Sequence, residues 1–376
     1  EQTRSALPGT EEAAVGPATE PDVRGSGSVE PQAESEVALQ PVFEIPAAGS
    51  ASGEWIARAG RWVAMTGALV GIGALVFAAT SLIGTRREVE EAGYWIRRSG
   101  LLILVGTAVE VVGASAVSAG SVVGGIAPAA LTDLLSGSFG VAVLLRAAGG
   151  AAMLYGTVIV ASESSRPFAD GSRLPAAGRS RSGVAVVERT ATTYRLDVHH
   201  ARFAVLGIGL VTASYLFDGH TVTTSPTLLV RAASAVHVLA AGVWVGGVLL
   251  MAWTLSSRHR RGADLDAAPM AIRFSRVASA ALALVAVAGS ALALAIVDSP
   301  AEMFTTAWGR VLIVKLVAVA IAASIGAYNH FVTVPALEAE SSDGDTANWL
   351  RQLVRIEGGI LLFVIAATAV LVGAAS

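Results

Sequence analysis

The chain has 376 residues, 53% of them hydrophobic and only 15% charged, with a net charge of −3. That is too apolar for an ordinary soluble domain, and the near-neutral charge gives no reason to expect a nucleic-acid partner. The chain has no Cys, which excludes disulfides, thiolate metal sites and Cys nucleophiles. It also has no nucleotide loop of the Gly-Lys-Ser/Thr type, so ATP is not expected as a partner or energy source.

Residues 1–54 hold ten acidic and two basic residues among many Pro, Gly, Ser and Ala. Such a segment cannot bury enough apolar surface to fold alone, so it reads as a disordered acidic extracytoplasmic tail or linker. It contains no His or Met, which makes it a poor chelator of soft metals. The chain starts at Glu1 rather than Met, and a removed signal peptide or a longer N-terminal part is expected.

Eight apolar stretches follow, near 62–83, 100–119, 138–161, 201–217, 229–255, 274–297, 309–332 and 354–374. Each approaches the roughly 20 residues a helix needs to cross the hydrocarbon. An open sheet edge in lipid would leave backbone groups unpaired, so helices are expected. The fold class is therefore an all-α, polytopic membrane helix bundle of about eight transmembrane helices, with the lipid bilayer as its first partner. Residues 55–198 form a first membrane half with spans one to three and an Arg-rich loop. Residues 199–376 form a second half with spans four to eight.

The loops set the orientation. The connection after span one holds Arg86, Arg87, Arg97 and Arg98; that after span three holds Arg166, Arg173, Arg179, Arg181, Arg189 and Arg195. The connection after span five holds Arg258, Arg260, Arg261 and Arg273, and that after span seven ends in Arg351. The alternate connections carry no Lys or Arg except Arg231 and Arg310 just beyond their ends. The positive-inside rule then makes the basic loops cytoplasmic and both termini extracytoplasmic, in a multi-pass protein of the cytoplasmic membrane. Trp62, Trp95, Trp308 and Trp349 fall at predicted span ends, as interfacial aromatics should.

Chemistry is sought where polar groups interrupt the spans, because such groups are costly in lipid. Asp218-Gly219-His220 forms a turn at the outer end of span four. His237 lies roughly 12 Å inside span five at 1.5 Å per residue. It shares one helix face with Ala241 and Trp244. Gly242 and Gly246 have the small-xxx-small spacing that lets a neighbouring helix approach closely. Imidazole suits several transition metals, so His220 and His237 are the candidate metal ligands, against plain loop and helix-packing roles. Asp218, Trp244, Met65 and Met303 are candidate accessory positions, although ordinary packing explains the methionines equally well. His199, His200 and His330 lie toward the cytoplasmic side and could form an exit; His259 sits in an Arg-rich loop. Glu110 in span two and Arg146 in span three have similar depths, so an intramembrane ion pair is expected, either structural or lining a pathway. Lys315 and Glu357 lie near the ends of spans seven and eight, where both could reach the headgroups.

Several segments in order resemble the copper resistance protein D family. They are Trp95-Ile96-Arg97-Arg98-Ser99-Gly100, Phe217-Asp218-Gly219-His220, and His237-Val238-Leu239-Ala240-Ala241-Gly242-Val243-Trp244-Val245-Gly246-Gly247. Arg273-Phe274-Ser275, Trp308-Gly309-Arg310-Val311-Leu312-Ile313-Val314-Lys315 and Arg355-Ile356-Glu357 follow. The likeness covers residues 55–374 and is strongest over 200–374. It implies a non-enzymatic membrane protein of copper resistance that moves copper ions across the inner membrane, generally inward. It implies a partner as well: a periplasmic copper-binding protein of the C type, separate or fused. By the same resemblance, His220 and His237 become copper ligands or relay residues, and Trp244, Lys315 and Glu357 become family-marking positions without an assigned role. The acidic loop 333–350 offers no soft ligand for delivery inside. Two other readings remain: a haem-binding membrane cytochrome or metalloenzyme assembly factor, and a copper sensor or scaffold that does not transport. His237 lacks a His at matching depth on another span, which counts against bis-His haem.

Overall fold

A computed structural model describes residues 48–155, 161–163, 194–196, 201–217, 227–296, 299, 301–339 and 344–374. Most of the acidic tail and most of the connection between spans three and four lie outside them. Helix α1 (Ala48–Thr80) begins well before residue 62, so residues 48–54, assigned to the tail, are helical. Helix α2 (Arg86–Ser118) also starts early. Thr85 caps it in a reciprocal capping box, its side chain accepting from Glu88 N while the Glu88 carboxylate accepts from Thr85 N. Arg86 and Arg87 pair with Glu90 and Glu91 one turn on, which lets a helix continue where hydropathy alone would end it.

The short α3 (Val122–Gly125) and α4 (Pro128–Leu135) lead to α5 (Ser138–Tyr155). The helix of span three thus ends at Tyr155 rather than 161. Strands β1 (Ala161–Glu163) and β2 (Tyr194–Leu196) pair antiparallel, a small exception to the all-helical expectation. Helix α6 is Arg202–Ser214. Span five is a continuous run of α7 (Thr227–Ala241), a π turn at Gly242–Gly246, and α8 (Gly247–Arg260). Then come α9 (Ala268–Ile296), α10 (Glu302–Thr305) and α11 (Ala307–Tyr328). A second π turn at Asn329–Thr333 joins α11 to α12 (Val334–Ala339), and α13 is Gly344–Ala374. Among the described residues seven helical runs are long and apolar enough to cross a membrane; α6, at the place of span four, is apolar but shorter.

Helix α1 joins the two halves. It packs along α2 on one side and against the first π turn, α8 and α13 on the other. Glycine makes both contacts possible. A Cβ on Gly60 would lie 2.3 Å from Glu110 N, and one on Gly73 would lie 2.3 Å from Gly246 C, so backbone meets backbone at each seam. The close neighbour of Gly242 and Gly246 is therefore α1. Helices α9 and α11 leave Leu284, Val287, Val314 and Val317 exposed on their outer faces, which suits contact with lipid.

One end of the bundle is tied by charge. Arg258, buried, donates from Nε to Glu88 Oε1 at 2.8 Å and from Nη2 to Glu88 Oε2 at 3.0 Å. Its Nη1 donates to the carbonyls of Leu265 at 2.7 Å and Asp266 at 3.0 Å. Arg261 bridges Glu88 and Glu91. Tyr194 exchanges backbone hydrogen bonds with Gly84 beside this network. The connections after α1 and α8 and the strand preceding α6 therefore meet at the same end.

Candidate functional site

The first polar cluster is built on α1, α2, α5 and α6. Glu110 is fully buried, and Arg146 donates from Nη1 to its Oε2 at 2.7 Å. Arg61, from α1, donates from Nε to Glu110 Oε1 at 2.8 Å. Arg146 also reaches Ser214 Oγ at 3.3 Å and lies over the Tyr215 ring at 5.4 Å. The cluster is thus an Arg–Glu–Arg triad rather than a pair. Arg61 escaped the sequence reading because it stood at the expected start of span one; the earlier start of α1 places it inside. The glycine contact between Gly60 and Gly106 brings α1 close enough for Arg61 to reach Glu110.

The second cluster occupies the other half, where both spans with π turns face α13. Such turns are rare and concentrate at functional sites. Trp244, in the first, donates from Nε1 to Glu357 Oε1 at 3.1 Å. Asn329 opens the second π turn, and its side chain also hydrogen-bonds Glu357. Trp244, Asn329 and Glu357 are all buried. Glu357 thus faces the protein interior rather than reaching toward headgroups. One helix over, the His237 ring sits beside the Val285 backbone, and a Cβ on Gly289 would lie 3.1 Å from its Cε1. Lys315 on α11 is near enough to act electrostatically on His237. Among the described residues Lys315 has no hydrogen bond or ion pair.

The other expected positions are scattered. Asp218, His220, His199 and His200 lie outside the described residues. Met65 packs against the apolar core, and Met303 sits in α10. His330 Nδ1 makes a short hydrogen bond with Ser275 Oγ, linking the second π turn to α9. The one N–H of the Trp244 ring is committed to Glu357, so it is taken up as a hydrogen-bond donor. Among the described residues no group of three His, Asp or Glu is placed to hold a metal ion. Asn329 was not anticipated. A neutral amide in an apolar span carries little sequence signal, although it directly precedes His330.

The helices define a multi-pass α-helical membrane protein with buried polar groups between its spans. Residues 268–371 match the family model described as Copper resistance protein D. The match runs from α9 into α13 and includes Lys315, Asn329 and Glu357, while His237 and Trp244 precede it. The chain is 29% identical over 140 residues to the "Inner membrane protein YebZ" of Escherichia coli (strain K12). That alignment covers 36% of this chain and 47% of the relative, so the chain spans about half of that protein's length. No solved structure matches the chain.

Proposed function

We propose that this protein is a copper permease of the cytoplasmic membrane, serving copper homeostasis or resistance, most simply by uptake. The observation that carries the reading is the buried seam of Trp244, Asn329 and Glu357, the last two within the segment matching the copper resistance family, with His237 earlier on the same helical run as Trp244 and Lys315 near His237. In this reading copper is the cargo. His220 and Asp218 capture it at the outer mouth, and His237 passes it into the seam. His330, tied to Ser275, stands at the inner way out. Both termini lie outside. The Arg-rich connections share a side, and the convergence of the Arg258 network and Tyr194 at one end supports that arrangement. A C-type copper-binding protein would supply the metal from outside.

With no nucleotide loop, passage follows the metal gradient, the membrane potential or a coupled ion. Inward movement of a cation gains about 2.3 kcal/mol per charge per 100 mV. The test is copper accumulation in proteoliposomes, with bound metal measured on the purified protein. Copper uptake above that of empty liposomes is expected. No uptake, or a haem absorption band in place of copper, would overturn the reading.

A further inference from the structure

Among the described residues three glutamates are buried, and they differ in their partners. Glu88 is held by Arg258 and Arg261, and Glu110 by Arg61 and Arg146. Glu357, 2% exposed in the middle of a membrane helix, makes no ion pair among the described residues. Its two partners are neutral, the indole of Trp244 and the amide of Asn329. Several charged groups on the surrounding helices have other partners. Arg61 and Arg258 serve the other two glutamates, Lys315 acts on His237, and His330 bonds Ser275.

The neutral pair is the complement of a carboxylic acid. The acid presents one acceptor, its C=O, and one donor, its O–H. Trp244 Nε1–H serves the acceptor. Asn329 Oδ1 is buried with no hydrogen bond, and turning the amide would offer it to the O–H. For the carboxylate, the same amide offers its NH2 instead. Thr333 Oγ1, in the same π turn, is also buried without a partner. Asn329 and Thr333, four residues apart, thus each hold a buried polar atom without a partner on the second π turn.

We infer that Glu357, set between Trp244 and Asn329, is a proton-carrying site whose proton is exchanged for the transported cation. The inference rests on the permease reading. The carboxyl gives its proton to water on one side as a cation enters the seam. The carboxylate balances the cation there, and takes a proton from the other side when the cation leaves. One proton crosses against each cation that passes, and no other reactant is needed.

Two measurements on the full chain test this, using Glu357→Gln and Glu357→Asp, each first shown to melt like the wild type. Infrared difference spectra, with and without copper, should show a protonated carboxyl band in the wild type that copper removes, that shifts in heavy water and that Glu357→Gln lacks. Proteoliposomes carrying a lumenal pH dye, given copper, should show proton efflux coupled to uptake. Glu357→Gln should lose both movements, and Glu357→Asp should restore part of each. Copper uptake without proton movement, or a wild type lacking the band while uptake is intact, overturns the exchange alone. A wild type that takes up no copper overturns the permease reading and the exchange with it.

Discussion

Replacing Glu110 by Gln removes the one acceptor that two arginines share. Arg61 and Arg146 approach its two oxygens at 2.8 and 2.7 Å, with Glu110 wholly buried. Hydrogen bonds to charged groups contribute about 1.5–3 kcal/mol each, and breaking a buried ion pair by removing one partner costs about 3–5 kcal/mol. Glu110→Gln should therefore destabilise the protein by about 3–5 kcal/mol. Arg146→Gln should cost less, because Glu110 keeps Arg61. The double substitution Glu110→Gln with Arg146→Gln should fall short of the sum of the singles by about 1–3 kcal/mol, since each single leaves a buried group the other would have relieved. Denaturant or thermal melts in detergent or nanodiscs measure all three. A cost below about 1 kcal/mol for Glu110→Gln, or strict additivity in the cycle, would refute the argument that burial makes this cluster depend on its shared carboxylate.

Arg258→Lys should destabilise by about 2–4 kcal/mol, because a lysine cannot bind Glu88 through two parallel bonds and also reach the Leu265 and Asp266 carbonyls; near-wild-type melting would contradict this. Gly73→Ala places a methyl 2.3 Å from Gly246 and should cost about 1–3 kcal/mol by pushing α1 off the first π turn, whereas an unchanged melt would show that the seam relaxes freely. Reporter fusions at Arg179 and Gly262 should read cytoplasmic and one at Thr223 external, as the loop charges require. A cytoplasmic signal at Thr223 would end the eight-span arrangement.

Long apolar runs are what a sequence displays most openly, and the expected spans fall on seven long helices and the shorter α6. Helix ends were misplaced where polar pairing extends a helix past its apolar run, as Arg86–Glu90 and Arg87–Glu91 do at the start of α2. Glu110 and Arg146 can be paired by depth because both charges sit mid-span, where a partner is nearly obligatory. Arg61 stood at a presumed boundary and gave no such signal. The bond from Trp244 to Glu357 spans two helices far apart in the chain, so no local spacing could reveal it. Both π turns are equally silent in the sequence. Gly242 and Gly246 announced a close neighbour without saying that it would be α1.

The copper-permease account stands most directly on His237. Copper accumulation should be measured in proteoliposomes holding equal amounts of folded wild-type and His237→Ala protein. The account predicts robust uptake in the wild type and none above empty liposomes in the variant. Wild-type accumulation by well-folded His237→Ala would contradict it.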